Sequence, residues 1–212
     1  MSKDSEKKPE TPKGGAAADA RAVLADTETA SEKIAELADQ LEAGSASRST
    51  KAARILDEIG KEEISLLVPI IPVLAKLLVS KKKRVAQTAT NNLPLLARAA
   101  PAKVAKQLDL LKASYEEASA VGRDGLVRTF AALCTASVAY QKRLEPVLTL
   151  ALDEADGKTL LTWSQVVLPA LKGEPHARAR AVVERRMYQI PRAIGQKIAD
   201  NLGVRLRHSY RA

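Results

Sequence analysis

The chain is poor in the side chains that carry chemistry: it holds two histidines, one cysteine and one tryptophan among 212 residues. A zinc site needs three or four nitrogen, sulfur or oxygen ligands. His176 and His208 have no Cys or carboxylate cluster at ligand spacing. Cys134 shares a helical face with Phe130, Ala131 and Ser137, which reads as a small core residue rather than an activated thiolate. Gly157-Lys158-Thr159 looks like the end of a phosphate loop, but the required upstream glycine is replaced by Leu152. Asp153, Glu154 and Asp156 cluster without the alternating oxygen ligands and distal Glu of a calcium loop. They read as a solvated turn. No catalytic residue, metal or cofactor is expected, and the chain is read as a non-enzyme.

Composition bounds the class. Apolar residues make up 46% and aromatics only 3%, so an adequate core must be aliphatic. One Cys excludes a disulfide scaffold. The opening MSKDSEKKPE has no apolar stretch of a secretory signal, and the longest uncharged run, Ile64 to Ala75, stops at Lys76. A membrane span needs about 18 residues. A cytoplasmic, helical protein is expected.

Charge is unevenly spread. The net charge is +9, but residues 1–46 carry 6 basic and 10 acidic side chains, whereas residues 173–212 carry 9 and 3. Residues 1–18 are polar, with Pro and paired Gly, and are expected to be a disordered tail. Residues 19–43 predict one acidic helix with Leu24, Ile34, Leu37 and Leu41 on its stripe and Gly44 as a stop. It would cap the domain, with self-association as a short coiled coil the alternative.

Residues 47–212 must position whatever the chain presents, and here the sequence repeats every 37 residues. Leu56, Leu93, Phe130 and Val167 follow that step, as do Ile59, Leu96, Leu133 and Ala170, and Ala52, Ala89, Leu126 and Trp163. Leu74, Leu111 and Leu148 recur later in each copy, with Leu78, Tyr115 and Leu152. Spacings of three and four give one helical face, so each copy predicts two amphipathic helices, 48–61 and 64–79 in the first. Gly60, Gly122, Gly157 and Gly173 are placed between helices. Pro101 and Pro175 suit a first turn. Pro69, Pro72, Pro94, Pro146 and Pro169 predict kinks or shifted boundaries. Arg185 falls where the fourth copy should have Leu. The fold class is all-α, with about four antiparallel helix pairs that bury their faces by stacking.

Arg84-Val85-Ala86 through Leu93, and Leu126-Val127-Arg128 through Leu133, resemble the first helix of the HEAT-repeat family. The resemblance covers about residues 48–190 and lacks the usual mid-unit Asp. It implies a right-handed α-solenoid whose second helices line the concave surface. Such stacks include alkylpurine DNA glycosylases, which clasp a damaged base with aromatic residues beside an acidic group. Trp163, in phase with Ala52, Ala89 and Leu126, is read as core instead.

Three basic features are candidates for binding. Lys81-Lys82-Lys83-Arg84 is a run of four cations at a turn. Lys106, Arg143 and Arg180 form a 37-residue column, and Lys112 and Arg186 lie two periods apart in another. On second helices about 8–10 Å apart, these would form a ladder suited to a polyanion. The third is the Arg-rich end, residues 173–212. There Gln196 to Val204 looks like the first helix and turn of a helix-turn-helix, but the second helix, Arg205 to Ala212, would place Ser209 at a docking position. A C-terminal capping helix fits better. The sequence thus predicts a binding scaffold holding an acidic protein partner on a basic second-helix face. Sequence-nonspecific DNA or RNA binding by the same face is the alternative, and a glycosylase the lesser one.

Overall fold

A computed structural model describes residues 15–206. Among the described residues every regular element is helical. Helix α1 spans Ala16–Ala25, α2 Ala30–Ala43 and α3 Ala46–Glu62; a 3-10 helix, Ile64–Ile70, runs into α4, Ile71–Leu77. Then follow α5 Lys83–Ala99, α6 Pro101–Ala105, α7 Leu108–Glu117, α8 Ala120–Ala136 and α9 Val138–Glu154. Helices α10 Gly157–Ala170, α11 Gly173–Arg186 and α12 Arg192–Leu202 complete the array.

The starts of α3, α5, α8 and α10 reveal a periodic signal in the capping residues. Ser45, Lys82, Ser119 and Asp156 precede them. Ser45 Oγ accepts from the Arg48 N–H at 3.5 Å, Ser119 Oγ from Gly122 at 3.4 Å and Asp156 Oδ1 from Thr159 at 2.9 Å. Each satisfies a backbone donor that the first helical turn leaves open. The Thr159 N–H also holds the Asp156 carboxyl below its usual range. Lys82 cannot accept in this way. Its Nζ instead donates to the Gly44 carbonyl at 2.9 Å and Ser49 Oγ at 3.2 Å.

Packing follows the 37-residue positions. Leu56, Leu93, Phe130 and Val167 are buried, as are Leu74, Leu111 and Leu148, within one continuous aliphatic core. Helices α1, α3, α5, α8, α10 and α12 each touch the next, forming a first layer. In the second layer α2 touches α4, α4 touches α7 and α9 touches α11. The tightest junction is α5 against α8. A Cβ on Gly122 would lie 2.2 Å from the Leu78 carbonyl oxygen, and one on Gly125 would lie 2.9 Å from Thr90 Cα. Thr90 Oγ1 donates to the Val121 carbonyl at 2.9 Å across the same junction.

Several expectations need correction. Residues 19–43 form two helices, not one. Asp26 ends α1 and accepts from the Thr29 N–H at 3.3 Å, Thr29 Oγ1 at 2.6 Å and Lys33 Nζ at 2.7 Å. Helix α2 buries Ile34, Leu37 and Leu41 against α3 and the 3-10 helix, so the segment does cap the array. Gly60 and Gly122 lie inside helices because neighbouring atoms leave no room for a Cβ. Gly157 opens α10. Pro69 lies in the 3-10 helix and Pro72 in the first turn of α4, a shifted boundary, whereas α5, α9 and α10 run through Pro94, Pro146 and Pro169.

The failed phase at Arg185 has a simple cause. The buried residues of α11 are Ala179 and Val183, with Met187 next, and they trail Leu144, Leu148 and Leu152 by 35 residues rather than 37. Gly173, at φ +59°, takes the shortened turn. Helix α12 ends in Gly203 at φ +68° and packs Ile198 and Ala199 on α10. Arg205 and Leu206 are not helical, and Arg207 to Ala212 lie outside the described residues, as do residues 1–14 of the expected tail.

Two measurements check this account. Gly122→Ala and Gly125→Ala should each destabilise the fold by about 1–3 kcal/mol, the usual cost of overpacking, read as a lower urea midpoint. Asp26 should titrate at about 2 in an NMR pH series, because Lys33 and then Thr29 hydrogen-bond its charged form. This value is depressed, so the stability it contributes is present above its ordinary 3.8 and is lost as pH falls towards 2.

Candidate binding surface

The second-layer cations are largely engaged by acids on neighbouring helices. Arg143 Nη2 donates to Asp109 Oδ1 of α7 at 3.2 Å. Arg178 pairs with the buried Glu145 of α9 at 3.1 Å, and Arg185 with Asp153 at 2.7 Å. Arg180 bonds Glu184 at 2.7 Å and the Leu202 carbonyl at 3.2 Å, tying α12 down. Arg186 caps the end of α9 through the Ala155 carbonyl at 2.8 Å. Lys106, in the turn between α6 and α7, and Lys112, on α7, are exposed. The column is in place, but three of its five cations serve contacts within the chain.

The four-cation run divides in the same way. Lys81 and Lys83 are exposed, Lys82 stitches α5 to the α2–α3 turn, and Arg84 pairs with the buried Asp57. Asp57 also accepts from Asn91 Nδ2 at 3.2 Å and Asn92 Nδ2 at 3.1 Å, so one carboxylate joins α3 to α5.

The surplus of positive charge lies in the first layer. Helices α3, α5, α8 and α10 carry ten basic and four acidic side chains. The matching second-layer stretches, 64–77, 101–117, 138–154 and 173–186, carry ten and eight. The column reading missed this because it counted cations in phase without counting the acids beside them.

The same layer is grooved. A depression of about 420 Å³ is lined by Gln87, Asn91, Leu95 and Arg98 of α5, Asp124 and Arg128 of α8, and Val166 of α10. Side chains of α5 and α10 thus wall a trough across α8. Gln87, Thr90 and Asp124 also line an adjoining cavity of about 550 Å³, which extends to Tyr115, Glu154 and Trp163. At the junction Asp124 is held from both sides: Trp163 Nε1 donates to Oδ1 at 2.9 Å and Arg128 Nε to Oδ2 at 2.8 Å. Trp163 is 5% exposed, so the core reading holds while its indole edge still borders the cavity. Arg123 lies 5.2 Å from the Tyr115 ring centroid and donates to the Tyr115 and Glu116 carbonyls at 3.1 and 3.0 Å. It closes the C-terminus of α7, where a cation is favoured.

Among the described residues no three His, Cys, Asp or Glu side chains group as metal ligands, and no helix is long and apolar enough to cross a membrane. His176 is half-buried on α11, and His208 lies outside the described residues. Asp153 and Asp156 are not merely solvated: they hold Arg185 and the start of α10. Burial pushes the Cys134 thiol up to about 12. The protonated thiol should therefore resist iodoacetamide in the native protein at about pH 8 and react once the chain is unfolded, which mass spectrometry reads directly. No family model, curated protein or solved structure matches this chain.

Proposed function

We propose that the chain is a non-enzymatic binding scaffold, a HEAT-like α-solenoid of four helix pairs, that holds an acidic protein segment. The supporting observation is the coincidence of the groove and the surplus positive charge in the first-helix layer. This moves the contact from Lys106, Lys112, Arg143, Arg180 and Arg186 to Arg98 and Arg128 at the trough. Both arginines present planar donors that match a carboxylate. They stand on regular helices, so binding does not first have to order a loop, and the entropic cost of association stays low.

DNA or RNA binding through the same layer is the second reading, favoured only by the charge excess. Trp163 is nearly buried, so it offers no exposed platform for base stacking. The glycosylase reading has less support still. Both oxygens of Asp124 already accept hydrogen bonds.

Fluorescence anisotropy separates these readings. A labelled glutamate-rich peptide should bind at about 50 mM salt. Arg98→Glu should weaken it roughly fivefold, the upper range for a solvent-facing pair, while Lys106→Glu changes little. Tight binding of a mixed-sequence duplex would promote the second reading, provided log affinity falls by about 0.7–0.9 per log salt for each phosphate contacted. A peptide that ignores Arg98→Glu would sink the proposal.

A further inference from the structure

Charge is not uniform along the groove. At the trough end Arg98 is exposed on α5 and Arg128 is partly exposed on α8. At the cavity end three carboxylates, Asp124, Glu154 and Asp156, share the lining with Arg123 and Lys158. Arg123 already donates to two carbonyls of α7. Lys158 lies close enough to Asp156 to help hold that carboxyl in its charged form. Glu154 is exposed and makes no ion pair among the described residues. Its charge is felt at Tyr115, whose phenol is pushed up first by burial and then by Glu154. The cavity therefore has an unspent carboxylate at its edge, small apolar walls at Ala118, Ala151 and Ala155, and the Trp163 indole alongside.

Resting on the function proposed above, we propose that the bound segment is bipolar: its acidic residues lie over Arg98 and Arg128, and a basic side chain further along enters the cavity beside Glu154. Arginine fits this cavity best. Its aliphatic stem covers the alanine walls, and its guanidinium forms a planar pair with a carboxylate. An apolar side chain would leave the Glu154 charge without a partner. Length agrees as well. Gln87, which lines both depressions, lies eleven residues from Arg98 on α5, or about 16 Å at the helical rise. An extended chain covers that distance in about five residues. The opposite charges at the two ends then fix the direction in which the segment lies.

Three labelled peptides test this: hexaglutamate, hexaglutamate joined through about five Gly and Ser residues to one Arg, and the same peptide ending in Leu. The Arg peptide should bind roughly fivefold tighter than the Leu peptide. Glu154→Gln should remove that gain while leaving hexaglutamate affinity within about twofold. A Leu peptide that binds as tightly as the Arg peptide overturns the inference, and so does a gain that survives Glu154→Gln. If hexaglutamate itself fails to bind, the proposed function falls and takes this inference with it.

Discussion

The close approach of α5 and α8 is the constraint on which the remaining features depend. Gly122 lies under the Leu78 carbonyl and Gly125 against Thr90, with no space for a side-chain carbon at either point. Because α8 is drawn in so far, its own side chains form the floor of a trough instead of a ridge. Asp124 and Arg128 therefore face one another across a single turn of that floor. Trp163 reaches Asp124 from α10 and closes the far side. Bulkier residues at the two glycines would separate α5 from α8 and open the trough.

The two helical layers use charge differently. In the second layer, ion pairs span neighbouring helices: Asp109 with Arg143, Glu145 with Arg178, and Asp153 with Arg185. Solvent-facing pairs of this kind contribute little individually, but they keep that surface close to electrical balance. In the first layer the largest ion-pair commitment is the buried Asp57, which joins α3 to α5 through Arg84, Asn91 and Asn92. The remaining arginines there are available to solvent. A surface balanced against itself is a poor receptor for a charged partner; one left in surplus is a good one.

Much of the fold was legible because burial imposes a strict period. Leu56, Leu93, Phe130 and Val167 mark the core face of successive first helices, and the structure buries all four. Element boundaries were less legible where polar chemistry decided them. The break at Asp26 depends on three hydrogen bonds to one carboxylate, which hydrophobic spacing does not register. Gly60 and Gly122 looked like punctuation, yet they are helix interiors made small by Asn92 and Leu78. The candidate surface was the least legible part. A cation's neighbours thirty or more residues away decide whether it is free, and Arg143, Arg178 and Arg185 all have such neighbours. A 37-residue series at Ser45, Ser119 and Asp156 was present in the sequence and would have located three helix starts.

The shortened turn before α11 also determines how the array ends. Each earlier second-layer stretch begins 37 residues after its predecessor, but α11 begins two residues early. A further copy of the repeat added after it would enter out of step with the groove it should fill. Helix α12 occupies that position instead, resting on α10 with its last carbonyl held by Arg180. The array is thus closed at this end by a change of register rather than by a run of polar residues. Lengthening it would require a whole 37-residue insertion between interior helix pairs, where the step is still intact.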